Sequence, residues 1–289
     1  MRIFALQLNN DLKGIETRKN YIESLIAKLD SPDFVVLPEL AFCSYIGNET
    51  IWQYADVESK DTSQWAMKIA DKYKTYIGVG YLEKEGNDYY NSYMIADGSR
   101  VYGIVRKCEG ESYIFKRGDF GHIIAMPFGH VAVGICYDAH RKHFYDNIRD
   151  HEISLILFPH GAPSDPKKQA QERAVIDYMC QTYAEAYHVP VVYVNSVGKL
   201  DPMLGLTGKL MAKEGFVLNG LSKIYHFEGE ELSSSVQEVI GLEAQLADKK
   251  RCGTIKFQGN DLIKGNFLFR KLILPKDIRD GVRFYKAKK

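Results

Sequence analysis

The chain has 289 residues, 45% of them hydrophobic and 26% charged, an ordinary make-up for one large or two medium globular domains. A formal net charge of +1 offers no field for nucleic acid, and the C-terminal Lys and Arg residues are interleaved with apolar and acidic ones. Five cysteines (Cys43, Cys108, Cys136, Cys180, Cys252) are an odd number, far apart, with no CxxC or zinc spacing, so a reducing, cytoplasmic setting is expected.

Met1 to Leu8 alternates like a strand rather than a leader peptide, and no apolar run is long enough to span a bilayer. Tyr21, Ile22, Leu25, Ile26 and Leu29 recur at helical spacing, and Ser31-Pro32-Asp33 stops that helix. Phe34 to Leu37 is a short apolar strand broken by Pro38, directly before Glu39. A helix is predicted over Asp61 to Lys72, then strands over Tyr76 to Tyr81, Asp88 to Ile95 and Val101 to Val105. Gly78-x-Gly80 lacks the third glycine and the helix of a dinucleotide fingerprint.

Arg106-Lys107-Cys108-Glu109-Gly110-Glu111 then sets charges at a strand end. His122 to Met126 and His130 to Ile135 read as a hairpin, the second strand delivering Cys136. A helix over about Arg141 to Asp150 precedes the buried strand Leu155 to Phe158, which ends at Pro159-His160-Gly161. Pro166 can open the longest helix, which ends before Pro190, and Val191 to Asn195 is a strand. Leu206 to Ala212 and Phe216 to Leu218 read as paired strands, and Val236 to Leu246 as a helical turn or two. From Cys252 onward the pattern places no element. Strands alternating with helices predict a layered α/β protein whose sites lie at strand ends.

As single residues the polar positions have plain explanations. Cys136 alone reads as a small core residue, Glu39 as a strand-end acid facing water, and Lys107 to Glu111 as solvated loop charges. Together, a thiol, an acid and a cation form a set for acyl transfer: a nucleophile, a base for its proton, and a charge for the oxyanion. His140 and His143 stand three apart on a presumed helix without a third ligand at metal spacing, so no metal is expected.

Three segments carry a resemblance: Leu37-Pro38-Glu39-Leu40, Arg106-Lys107 with Glu111 and Gly118-Asp119, and Gly134-Ile135-Cys136-Tyr137-Asp138. In order and spacing they resemble the signature regions of the nitrilase (carbon–nitrogen hydrolase) superfamily. Leu157-Phe158-Pro159, Glu172-Arg173-Ala174 and Asn195 agree, so the likeness covers about residues 1 to 245. The resemblance implies a four-layer αββα sandwich, often dimeric, over residues 1–250, with 251–289 a tail packing on the domain or on a dimer partner. It implies Glu39 as general base, Lys107 as oxyanion stabiliser, Cys136 as nucleophile and Glu111 as supporting acid, with no cofactor or metal.

The chain departs from the family where Cys108-Glu109-Gly110 replaces a histidine–leucine pair and a longer loop. Glu111 is preferred to Glu109 for its distance from Phe115 and Gly118-Asp119. Where many members carry an aromatic residue, this chain has His160-Gly161-Ala162. Tyr45, Tyr113, Tyr137, Arg141 and His160 are candidate substrate-binding residues, and Cys43, Cys108, Cys180 and Cys252 are read as packing. The expected activity is hydrolysis of a small amide or carbamoyl compound through a Cys136 thioester. Tyr137-Asp138 after the thiol, in place of tryptophan and glutamate, weighs against a nitrilase; an acyltransferase or a non-catalytic binding protein are the other readings. The expected partners are a small-molecule substrate and a second copy of the chain, with neither nucleic acid nor membrane.

Overall fold

A computed structural model describes residues 1–226, 231–233, 238–244, 246 and 253–289. The first half builds one sheet and its helices: β1 (Arg2–Leu6), α1 (Ile15–Ile26), β2 (Phe34–Val36), β3 (Asp56–Val57), α2 (Lys60–Tyr73), β4 (Tyr76–Glu85), β5 (Asp88–Ala96) and β6 (Val101–Arg106). The second half repeats the plan with β7 (Ile123–Met126), β8 (Gly129–Val133), α3 (Lys142–Ile148), β9 (Ile153–Pro159), β10 (Pro163–Ser164), α4 (Gln169–Tyr187) and β11 (Val191–Val194). Then come β12 (Val197–Lys199), α5 (Gly205–Glu214), β13 (Val217–Asn219), β14 (Lys223–Tyr225), β15 (Glu231–Ser233), β16 (Val239–Glu243) and α6 (Leu274–Lys288).

Two mixed sheets result, ordered β16-β1-β2-β4-β5-β6, with β3 also paired to β4, and β15-β14-β11-β9-β8-β7. Their central strands are parallel, β1-β2-β4 in one and β8-β9-β11 in the other. Strands covered on both faces read as continuous apolar runs, and the period of two sorts their side chains. Phe34 and Val36 of β2 face Leu155 and Leu157 of β9 and Val192 and Val194 of β11 in the middle layer. Val35 and Leu37 pack outward on α1 and α2 through Ile22, Leu25, Ala66 and Ile69. Ile156, Phe158 and Tyr193 pack outward on α3 and α4 through Phe144, Met179 and Tyr183. The order is helix, sheet, sheet, helix, the expected αββα sandwich.

Two predicted elements change class. Residues 205–214 form α5, not a strand. The helix starts because Asp277, some 70 residues later in sequence, accepts the N–H groups of Leu206 (2.9 Å) and Thr207 (2.7 Å), an N-terminal cap no local pattern displays. Gly215, at φ 70°, closes it in the left-handed conformation. Within the stretch read as helical turns, residues 239–243 are β16, paired antiparallel to β1 from Arg2↔Glu243 to Leu6↔Val239, so sheet pairing overrides local propensity. Positions 234–237, 245 and Cys252 lie outside the described residues.

The stretch left unassigned at the C-terminus holds α6, which packs on the body of the protein. A Cβ at Gly281 would stand 2.9 Å from Tyr113 N and from the carbonyl carbon of Ser112, so the helix backbone lies directly on that loop. Tyr285 reaches β5, its hydroxyl accepting the Tyr89 N–H at 2.8 Å. Among the described residues no helix is long and apolar enough to cross a membrane.

Candidate active site

Glu39, Lys107, Cys136, His160 and Asn195 each follow the carboxyl end of a strand, β2, β6, β8, β9 and β11 respectively, at one end of the sandwich. Pro38 ends β2, and the chain turns tightly enough that Gly80 on β4 touches it. A Cβ there would collide with the Pro38 carbonyl and lie 2.8 Å from the Glu39 Cα. The glycine dismissed as part of a nucleotide loop therefore makes room for the acid. Arg18 of α1 is wholly buried behind the same loop, donating to the carbonyls of Asn9 (2.8 Å), Leu12 (2.9 Å) and Ala41 and to Ser44 Oγ (2.8 Å). It fixes the segment that carries Tyr45.

Glu39 is 1% exposed and each of its oxygens is occupied. Oε1 accepts from Lys107 Nζ at 2.6 Å and Asn91 Nδ2 at 2.7 Å, and Oε2 accepts from the Gly161 N–H at 2.6 Å. Lys107 also donates to both oxygens of Glu111, at 3.0 and 2.8 Å, and the Tyr45 hydroxyl donates to Glu111 Oε1 at 2.6 Å. One ammonium thus bridges two carboxylates, a charge-assisted chain that pairs buried Glu39 and Lys107 with partly buried Glu111. Of the two acids weighed for this place, Glu111 makes these contacts. Glu109 turns away to Arg117 (3.2 Å), Arg141 (3.5 Å) and His143 (3.5 Å).

Cys136 leaves β8 through a left-handed turn, φ 50°, into a short 3-10 helix over Cys136–His140. A non-glycine residue held there is strained, and such strain collects at functional sites. The thiol is half-buried, whereas Cys43, Cys108 and Cys180 are buried. Burial, then the Glu39 charge, push its pKa well above the usual thiol value, against the pull of Lys107 and a hydrogen bond from the Gly161 backbone. Burial likewise raises Glu39 above the ordinary carboxylate range, opposed by Lys107. Burial would lower Lys107, but Cys136, Glu111 and Glu39 outweigh it and hold the ammonium well above its usual value. A thiol of raised pKa thus stands beside a carboxyl group of raised pKa.

Cys136 opens on a cavity of about 300 Å³. Tyr45, Glu111, Tyr113, Tyr137 and His160 also line it, together with Met203, Leu204, Thr207 and Met211 at α5 and Phe269, Leu274, Asp277 and Ile278 at the C-terminal end. Arg141 is placed elsewhere, its guanidinium against Asp261 and Glu109 and stacked 5.5 Å from the Tyr137 ring centroid. Of the remaining acids, Asp165 caps the turn before α4 through Lys167 N, and Asp177 pairs with Lys223.

Asp138, wholly buried, accepts the N–H groups of Cys108 (2.9 Å) and Glu109 (2.8 Å), which ties the turn after Cys136 to the turn after Lys107. The pair His140 and His143 divides: His143 Nδ1 lies 3.4 Å from His122 Nε2, while His140 faces His160 across 6.0 Å. Ligand atoms of Cys108, His122 and Asp138 lie within 4.8 Å of one another. The two N–H bonds to Asp138 already account for that carboxyl's burial without an ion.

Asn91 and Arg18 support the site and have no mention in the sequence reading, which names Gly80, Gly161 and Asp138 without their structural part. Asn91 gives one signal, an amide in the middle of a strand where asparagine is disfavoured. Asp138 gives another, an acid directly after an apolar strand end.

The sequence model of the carbon–nitrogen hydrolase family matches residues 5–247. A nitrilase of Pyrococcus abyssi is 30% identical over 149 residues, 48% of this chain; the match spans little more than half, 56%, of that relative. A "probable nitrilase" of Schizosaccharomyces pombe is 29% identical over 73% of this chain and 78% of its own. Among solved structures, a Helicobacter pylori carbon–nitrogen hydrolase has a TM-score of 0.71 at 20% identity, covering 83% of this chain and 88% of that one. An amidase from Nesterenkonia gives 0.68 at 17% identity, over 86% and 94%. At these identities the likeness to solved structures is one of fold.

Proposed function

The chain belongs to the carbon–nitrogen hydrolase family, and on that premise we propose that it hydrolyses a small amide or carbamoyl compound through a thioester at Cys136. The observation that carries the reading is the ion-paired chain Glu39–Lys107–Glu111 beside the half-buried thiol.

Glu39 takes the thiol proton as sulfur adds to the carbonyl carbon. The carbonyl π pair moves to oxygen, where the Lys107 ammonium and the Tyr137 backbone N–H hold the oxyanion. Collapse re-forms the carbonyl, breaks the C–N bond, and passes the Glu39 proton to the departing nitrogen. Glu39, a carboxylate again, takes a proton from water as its oxygen adds to the thioester. A second collapse expels sulfur, which regains the proton, leaving a carboxylic acid and ammonia or an amine. Glu111 and Asn91 act through Glu39 and Lys107, as positioning residues.

The test is intact-protein mass spectrometry during turnover of an amide library. The expected result is an adduct on Cys136 of the acyl mass, absent from Cys136→Ala. No adduct and no ammonia with any amide, carbamoyl compound or nitrile would reject the hydrolase; turnover of nitriles alone would assign a nitrilase.

A further inference from the structure

The catalytic end of the cavity is polar, but its far wall is not, and much of that wall lies outside the residues shared with the family. Phe269, Leu274 and Ile278 come after residue 247, and Met203, Leu204 and Met211 complete an apolar surface opposite Cys136. No lysine or arginine is among the described residues lining it. Of the cations around it, Lys107 pairs with Glu39 and Glu111, Arg141 and Arg270 with Asp261, and Lys276 with Asp280, while Lys209 and Lys276 line a separate hollow on the other side of Tyr113 and Asp277. Both lining carboxylates are committed too, Glu111 to Lys107 and Tyr45, Asp277 to the start of α5. A substrate carboxylate at this wall would be buried without a counter-charge, at a cost of several kcal/mol.

Two buried polar atoms of the lining residues have no partner, His160 Nε2 and Thr207 Oγ1. His160 Nδ1 lies 2.9 Å from the Phe158 carbonyl, which requires Nδ1 to carry the hydrogen and leaves Nε2 as a lone pair. Burial, with His140 and Lys107 nearby, holds the ring neutral. A buried acceptor without a donor is an open valence for a ligand. The volume, about 300 Å³, sits at the small end of ligand pockets.

We infer that this cavity is a subsite for uncharged amides with an apolar acyl substituent, the substituent packing between α5 and the C-terminal helix while His160 Nε2 accepts an N–H of the substrate. The inference names a substrate class for the reaction proposed above and rests on that reading for its chemistry, but not for its test, which measures binding alone.

The probe is the full chain carrying Cys136→Ala, titrated calorimetrically with acetamide, propionamide, butyramide and valeramide, then with succinamate and glutaramate. The expected result is affinity rising about three- to fourfold per added methylene. The ω-carboxylates are expected to bind at least about a hundredfold more weakly than neutral amides of equal length. Met211→Ala should flatten the chain-length trend. His160→Leu should weaken all amides about tenfold, with His160→Gln, which keeps an acceptor, recovering part of the loss. Affinity independent of chain length, or carboxylates bound as tightly as amides, would overturn the subsite. Adduct formation by the wild-type protein decides the hydrolase reading separately, so failure of one is distinguishable from failure of the other.

Discussion

The backbone N–H of Gly161 points at Glu39 Oε2 from 2.6 Å, and a Cβ on residue 161 would come within 2.9 Å of that same oxygen. It would also collide with the Tyr45 ring. The absence of a side chain here keeps Glu39 in place, so Gly161→Ala is expected to lower kcat about a hundredfold and, by displacing the Tyr45 ring, to lower the thermal midpoint as well. Steady-state kinetics beside a melting curve checks this; an unchanged kcat would remove Gly161 from the positioning of Glu39.

Glu111 and Glu109 stand two residues apart but serve different cations. Glu111→Gln is expected to cut kcat/KM tenfold or more, because Lys107 loses one of two counter-charges. Glu109→Gln, on the Arg117 and Arg141 side, is expected to stay within about threefold. Equal losses from the two variants would contradict the division of roles.

The raised basicity of Glu39 sets the acid limb of activity. In the proposed reaction it is ionised when it takes the thiol proton, so kcat/KM should fall as pH drops through a value above the ordinary carboxylate range. Lys107 stays charged throughout, giving no alkaline loss below about pH 9. Cys136, half-buried where Cys43, Cys108 and Cys180 are buried, should be alkylated by iodoacetamide first of these four, and more slowly in Glu39→Gln. Peptide mapping of the labelled protein reads both outcomes.

Stability should fall as pH rises past about 6.5. Wholly buried His122 is held neutral, its pKa lowered to about 4 by burial and then His143. Its contribution is present above the unfolded value near 6.5 and lost as pH falls towards 4, about 3 kcal/mol in all. Asp138 has the opposite sign. Burial raises it to about 8 against its backbone hydrogen bonds, so stability present near pH 4 is lost as pH rises through 8. The two slopes cancel between about pH 4 and 6.5, so thermal midpoints should stay level there and decline from about 6.5 to 8, and Asp138→Asn should turn the level part into a rise and flatten the decline. A decline of unchanged slope in that variant would show that another group causes it.

The clamp between Asp277 and α5 can be opened. Asp277→Ala removes acceptors from Leu206 and Thr207, costing about 1 kcal/mol. Because α5 walls the cavity, KM is expected to rise severalfold with kcat nearly kept. A fall in kcat alone would place Asp277 nearer the chemistry than its contacts indicate.

What the sequence made legible follows from where the information sits. Phe34 to Leu37 and Leu155 to Phe158 are buried on both faces, so their strand character is written in consecutive residues. Glu39, Lys107, Cys136 and Glu111 are named by the resemblance of three segments to the family's signature regions, since they lie far apart in sequence and only the fold brings them together. Local reading failed where the deciding partner is remote: Asp277 makes residues 205–214 a helix, and β1 makes 239–243 a strand. The roles of Asn91, Gly80 and Gly161 were missed because their importance is a distance of closest approach, which periodicity does not express. Arg141, a candidate for the pocket, pairs instead with Asp261, a partner far along the chain that no local pattern displays.

The pairing of β1 with β16 has a kinetic side. The Met1 ammonium donates to the Ala244 carbonyl at 2.7 Å, closing a contact over 243 residues. During synthesis from the N-terminus, Arg2 to Leu6 can pair with β2 early but presents an open strand edge until residues 239–243 emerge. Such long-range closure is slow, and an open apolar edge recruits other chains meanwhile. Refolding yield should therefore fall steeply with protein concentration, and chains ended before β16 should aggregate even though every residue of the Glu39–Lys107–Cys136 set is already present.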